Sequence, residues 1–187
     1  LEEDEIIGAD GYGDQDIHVL RPTTAGDYSA GTIYTLLDDV STADNYGVTL
    51  VESDTYVGDM LLKAGEFLFI DASAPTEIRH FAPTGVGLLT TTGTTSVFLN
   101  TTGLFGVSSG FDSLELIEVP TTIGGQTLAA GTILASVSGD GGTVGDATAL
   151  SVEDEDIFQL AVNTTFMTSA TSSATATMLF DGSVVNM

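Results

Sequence analysis

An all-β fold built from tandem repeats is what the sequence predicts, and three observations predict it. The first is self-similarity: residues 48–68 (VTLVESDTYVGDMLLKAGEFL) align without a gap onto residues 114–134 (LELIEVPTTIGGQTLAAGTIL). Leu50/Leu116, Glu52/Glu118, Thr55/Thr121, Gly58/Gly124, Leu62/Leu128, Ala64/Ala130, Gly65/Gly131 and Leu68/Leu134 are identical pairs. Val51/Ile117, Val57/Ile123 and Phe67/Ile133 keep their apolar character. Such recurrence marks a modular architecture. The second observation is alternation of apolar and polar residues at 32–36 and 114–119, in segments rich in Thr, Val, Ile, Phe and Tyr. The third is punctuation by Gly, Asp, Asn, Ser and Pro, with no window of helical length that carries helical apolar spacing and caps.

The elements follow in a fixed order. A strand opening on an acid and Ile begins at Asp16-Ile17 (DIHVLRPT) and recurs at Glu77-Ile78 (EIRHFAPT) and Asp156-Ile157 (DIFQLAVN). A second strand follows each time: GTIYTLLD at 31–38, GTTSVFLN at 93–100 and ATATMLFD at 174–181. All three end on a short polar residue, Asp38, Asn100 or Asp181. The long self-similar pair comes next, and its Ala-Gly dipeptides (64–65 and 130–131) read as tight hairpin corners or bulges, because Gly tolerates positive φ. The polar, Gly-rich run SGDGGTVGDATA (138–149) reads as an inserted loop.

About four short antiparallel strands per unit result. The division expected is a first repeat region at 1–76, a second at 77–155, and a partial third at 156–187 that a neighbour or further chain completes. Four-stranded units of this period fit β-propeller-like blades, with a β-sandwich as the alternative.

Charge restricts the partners. The chain has 187 residues and a net charge of −24, from 27 acids against Arg21, Lys63 and Arg79. That field repels nucleic acid and anionic membrane surfaces, so neither is expected as a partner. No apolar run approaches the length of a membrane span, and the opening LEEDEII is the opposite of the basic start of a signal peptide. Three readings of the acidity compete: a Ca²⁺-loaded extracellular protein, a halophilic protein, or a colloidally stabilised surface layer. Clustering of the acids in Gly-rich loops favours the first. Absence of Cys removes disulfides, thiolate catalysis and zinc-thiolate sites.

The motifs Asp16-Ile17…Pro22-Thr23, Glu77-Ile78…Phe81…Pro83-Thr84, Glu155-Asp156-Ile157 and Leu179-Phe180-Asp181-Gly182-Ser183 resemble repeats of large secreted bacterial proteins of the cadherin-like and calcium-rich adhesin type. The resemblance implies an extracellular structural or adhesive role and no catalytic residue. One departure is Val162-Asn163, where the other units have Pro-Thr.

Two acidic segments are candidate Ca²⁺ ligands. The loop containing Asp10, Asp14 and Asp16 places three carboxylates among glycines, which suits a hard cation. Glu153, Asp154, Glu155 and Asp156 are adjacent and repel one another unless a counter-ion is bound. The competing reading for Asp16, Glu77 and Asp156 is structural: an acid at a turn accepts backbone N–H groups and fixes strand entry. His18 and His80 lie on equivalent strands but one position out of register, which points them to opposite faces and argues against a paired metal site.

No triad is recognisable, Trp is absent and aromatic residues make up 7%, which is poor for a sugar-stacking cleft, so no enzyme is expected. Asn100 and Asn163 begin two N-glycosylation sequons. The function expected is a secreted or cell-surface structural module, self-associating or packing on neighbouring repeats in an array or filament through strand pairing. The alternatives are a lectin-like oligomeric propeller that binds carbohydrate, or a virion surface protein.

Overall fold

Thr, Val, Ile and Phe at alternating positions hold most of the chain extended, and glycines at positive φ reverse it. The computed structural model describes residues 16–37, 44–85, 92–100, 104, 110–139, 142–146 and 149–184. Strands β1 (Ile17–Thr24) and β2 (Asp27–Leu37) form a hairpin that turns at Gly26 (φ 84°). Next come β3 (Asn45–Leu50), β4 (Thr55–Val57), β5 (Met60–Leu62), β6 (Phe67–Asp71), β7 (Glu77–Gly85) and β8 (Thr92–Asn100). They are followed by β9 (Phe111–Ile117), β10 (Thr121–Ile123), β11 (Gln126–Leu128), β12 (Thr132–Val137), β13 (Gly142–Val144) and β14 (Leu150–Val152). Strands β15 (Ile157–Thr164) and β16 (Ser173–Phe180) flank a single helical turn, α1 (Phe166–Ser169), which Ala170 ends in the left-handed region. The fold is all-β.

Two four-stranded antiparallel sheets carry the repeat. Their orders are β3-β6-β7-β8 and β9-β12-β15-β16, so each is built from the same four elements in the same sequence. Each holds a small two-stranded hairpin between its first and second strands, β4–β5 in one and β10–β11 in the other. The sheets therefore set the phase of the repeat at β3 and β9, and Glu77 and Asp156 open the third strand of a sheet. A sequence repeat alone has no preferred starting point. Strands β1 and β2, equivalents of β7–β8 and β15–β16, form a two-stranded sheet of their own. No sheet closes into a barrel or ring among the described residues.

The predicted loop at 138–149 is in part a hairpin. Strand β13 pairs with β14, Val144 opposite Leu150 and Gly142 opposite Val152. Thr143 and Ser151 face water while Val144 and Val152 are fully buried, a short alternation that the surrounding Gly and Asp conceal in the sequence.

Strand β6 shows how the layers stack. All five of its residues are buried. Leu68 and Ile70 belong to the main core, which they share with Leu116, Ile133 and Leu160 of the second sheet. Phe67 and Phe69, on the opposite face, pack with Leu36 and Leu37 of β2 and with Phe81. Successive strand residues point to opposite faces, so the first sheet is covered by the second on one side and by β1–β2 on the other. Phe98 and Leu99 of β8, the equivalents of Leu36 and Leu37, are likewise fully buried in the main core. One stacking relation thus holds between the first and second sheets and recurs between β1–β2 and the first.

Candidate inter-unit interface

Hairpin β4–β5 turns through Gly58 (φ 60°) and Asp59, and β10–β11 through Gly124 (φ 57°) and Gly125 (φ 86°). Both are two-residue loops of the kind that matches strand twist. Their bases are alike. Thr55 Oγ1 donates to the Ser53 carbonyl (2.9 Å) and Thr121 Oγ1 to the Val119 carbonyl (2.8 Å). Leu62 and Leu128 are both fully buried. Beyond the base they differ.

The first hairpin lies on the second unit. Gly58 packs on the Val162 side chain and the Asn163 carbonyl, and the Tyr56 carbonyl rests on Gly131, where a Cβ would collide with it. Val57 is consequently fully buried. The Asp59 carboxylate accepts from Thr165 N–H (2.9 Å), Thr165 Oγ1 (3.1 Å) and Thr168 Oγ1. Those donors, the Thr168 hydroxyl foremost, hold its pKa below the ordinary carboxylate range.

A carboxylate from the second unit reaches back. Glu118 accepts from Glu52 N–H (2.6 Å), Ser53 N–H (2.6 Å) and Ser53 Oγ (2.7 Å). Desolvation is the largest single influence on its pKa and raises it, but the three donors together outweigh this and the net shift is downward. Thr49 Oγ1 adds a bond to Glu115 Oε2 (3.2 Å).

At the second hairpin's tip and at the first unit's seat, the described equivalents face solvent. All three residues of β10 are exposed, Ile123 at 44%. Glu52, equivalent to Glu118, is exposed. Gly65, equivalent to Gly131, would meet nothing within 4 Å of an added Cβ. Around Gly65 lies a cleft of about 600 Å³, lined by Leu50, Glu66, Phe67, Pro83 and Thr84, with Leu36 of β2 also contributing. Of the lining residues, Glu66 places Oε2 2.9 Å from His80 Nε2, in contact but off the line of a hydrogen bond.

The predicted calcium ligands are placed as follows. Asp10 and Asp14 lie outside the described residues. Asp16 immediately precedes β1, and Glu153–Asp156 form the turn between β14 and β15. Asp156 is buried, and its two oxygens accept Glu153 N–H (2.8 Å) and Gly182 N–H (3.0 Å), the strand-entry role open to an acid at this position. Glu153, Asp154 and Glu155 are exposed. A hydrogen bond with Asp154, with the charges of Asp154 and Glu153 adding to it, pushes the Glu155 carboxyl above its ordinary value. Among the described residues no three His, Asp or Glu side chains converge where a metal ion could sit.

Sequence reasoning missed the interface itself. The signal was present in the Thr-x-(Val/Ile)-Gly tips at 55–58 and 121–124, but nothing in the sequence says which tip is covered. No family model matches the chain, and neither a curated protein nor a solved structure matches it.

Proposed function

We propose that this chain is a structural repeat module that works by stacking and pairing with others of its kind in an extracellular array or filament. One observation carries the reading: two sequence-equivalent sheets share a continuous core and a set of cross-unit hydrogen bonds, and Ile123 and Glu52, the equivalents of the covered Val57 and the bonded Glu118, face water. Repeat proteins stabilise themselves through such nearest-neighbour interfaces, and a unit with an open neighbour position has surface to bury. Strand β16 offers a second route. Beyond Ala174, whose carbonyl accepts Asp146 N–H (3.2 Å), it pairs on one side only among the described residues. It carries neither Lys nor Pro to block strand addition.

The test is the light-scattering mass of the full chain across a wide concentration range. Open-ended growth is the expected result. A fixed mass at every concentration contradicts the array, and a ring of constant copy number would instead favour the lectin-like propeller. Calcium is part of the proposal through charge alone, since a net charge of −24 attracts divalent cations. A melting temperature that rises with Ca²⁺ over EDTA supports it, and an unchanged one removes calcium from the reading.

A further inference from the structure

We infer that the cleft around Gly65 is a receptor for a β-hairpin of the repeat's own type, donated by another repeat unit; the inference rests on the array reading above. The second unit has the same seat: Gly131 stands for Gly65, Leu116 for Leu50, Ile133 for Phe67, and Val162 and Asn163 for Pro83 and Thr84. There the seat is filled by β4–β5, with the Tyr56 carbonyl on Gly131 and Gly58 on Val162 and Asn163. In the first unit the seat is a cleft of about 600 Å³.

The occupant's chemistry follows from the filled seat. It is a short hairpin with a two-residue glycine turn, because a side chain at Gly58 would press on the Asn163 carbonyl (3.0 Å). It carries a Val or Ile just before the turn, because Val57 is the residue that becomes fully buried. It presents two adjacent backbone N–H groups at its base, because Glu118 binds those of Glu52 and Ser53. Glu52, the exposed sequence equivalent of Glu118 two residues after the lining Leu50, supplies the same acceptor. Hairpin β10–β11 has every one of these features, including Gly124-Gly125 at the turn and Ile123 before it.

The outer face of the second sheet carries polar groups. Ser113 and Ser136 bond across it (2.7 Å), and Gln159 stands where the first sheet has His80. Recognition therefore falls on the hairpin tip, and the tip as a peptide is the direct probe.

The experiment titrates a backbone-cyclised peptide of residues 118–130 into the full chain, followed by fluorescence anisotropy. Saturable one-to-one binding is expected. Ile123→Asp in the peptide and, separately, Thr84→Arg at the exposed rim of the cleft should each weaken it by about tenfold or more, the scale of one lost apolar anchor. Thr84 is exposed, so the protein variant keeps its fold, which an unchanged melting temperature verifies. No saturable binding overturns the inference. So does equal binding of the Ile123→Asp peptide, which would make the cleft a general apolar groove. The light-scattering mass is measured on the same preparation. A chain that assembles without binding the peptide loses this receptor but keeps the array, whereas one that binds the peptide and stays monomeric keeps the receptor and loses the array.

Discussion

Hairpins β4–β5 and β10–β11 are the same piece of chain folded twice and used differently. Each turns through two residues at a glycine, each ties its Thr hydroxyl back to the carbonyl two residues earlier, and each anchors a Leu at its base. Yet Val57 is fully buried and Ile123 is 44% exposed. The cause is not propensity. The first hairpin has a unit to lie on, and the second projects from the last described sheet. Local sequence thus determines that the hairpin forms, while its stability contribution depends on what the next unit provides. Two substitutions agree: Met60, packed against the core at the covered tip, is Gln126 at the open one, and Asp59, bonded to Thr165, is Gly125.

The comparison breaks most severely at glycine. Gly65 and Gly131 both have positive φ, so Ala at either costs about 1–2 kcal/mol. Only at Gly131 does the new Cβ strike the Tyr56 carbonyl, which adds roughly 1–3 kcal/mol of overpacking. Denaturant melts of the two variants should therefore rank Gly131→Ala well below Gly65→Ala; equal losses would mean that the Tyr56 contact is not formed.

Next is the tip residue. Val57→Ala should cost about 2 kcal/mol by losing buried methyl groups, and Ile123→Ala should stay within about 0.5 kcal/mol of the parent. A large loss at Ile123 in dilute solution would show that the second hairpin is covered too.

The smallest effect is electrostatic. Glu118 and Asp59 have pKa values depressed in the folded chain. Each therefore contributes stability above its unfolded pKa, and this is lost as pH falls through the folded value. Glu118→Gln should lower stability at neutral pH and flatten the acid limb of the stability curve relative to the parent chain. An acid limb identical to the parent's would remove Glu118 from the interface.

Much of this architecture was legible in the sequence. The strands, the antiparallel pairing and the duplicated segment follow from alternation and self-similarity, which are local properties. The Ala-Gly corners were legible as positive-φ positions, though they lead into β6 and β12 and the hairpins turn earlier, at Gly58 and Gly124. The phase of the units was not legible, because strand order in a sheet is a long-range property. Burial of Val144 and Val152 was hidden by the polar residues around them, since three-residue strands carry too little pattern to stand out. The contact made by Asp59 was equally hidden. Its partners Thr165 and Thr168 lie more than a hundred positions away, and no local rule pairs a turn aspartate with a distant helical turn.

Amide hydrogen exchange on the full chain in dilute solution tests the central claim most directly. Residues 55–62 should be strongly protected, as part of a buried inter-unit contact, and residues 121–127 should exchange rapidly, as a hairpin standing in water. Equal protection of the two segments would contradict the account, for it would mean that covering by a second unit makes no difference to an otherwise identical hairpin.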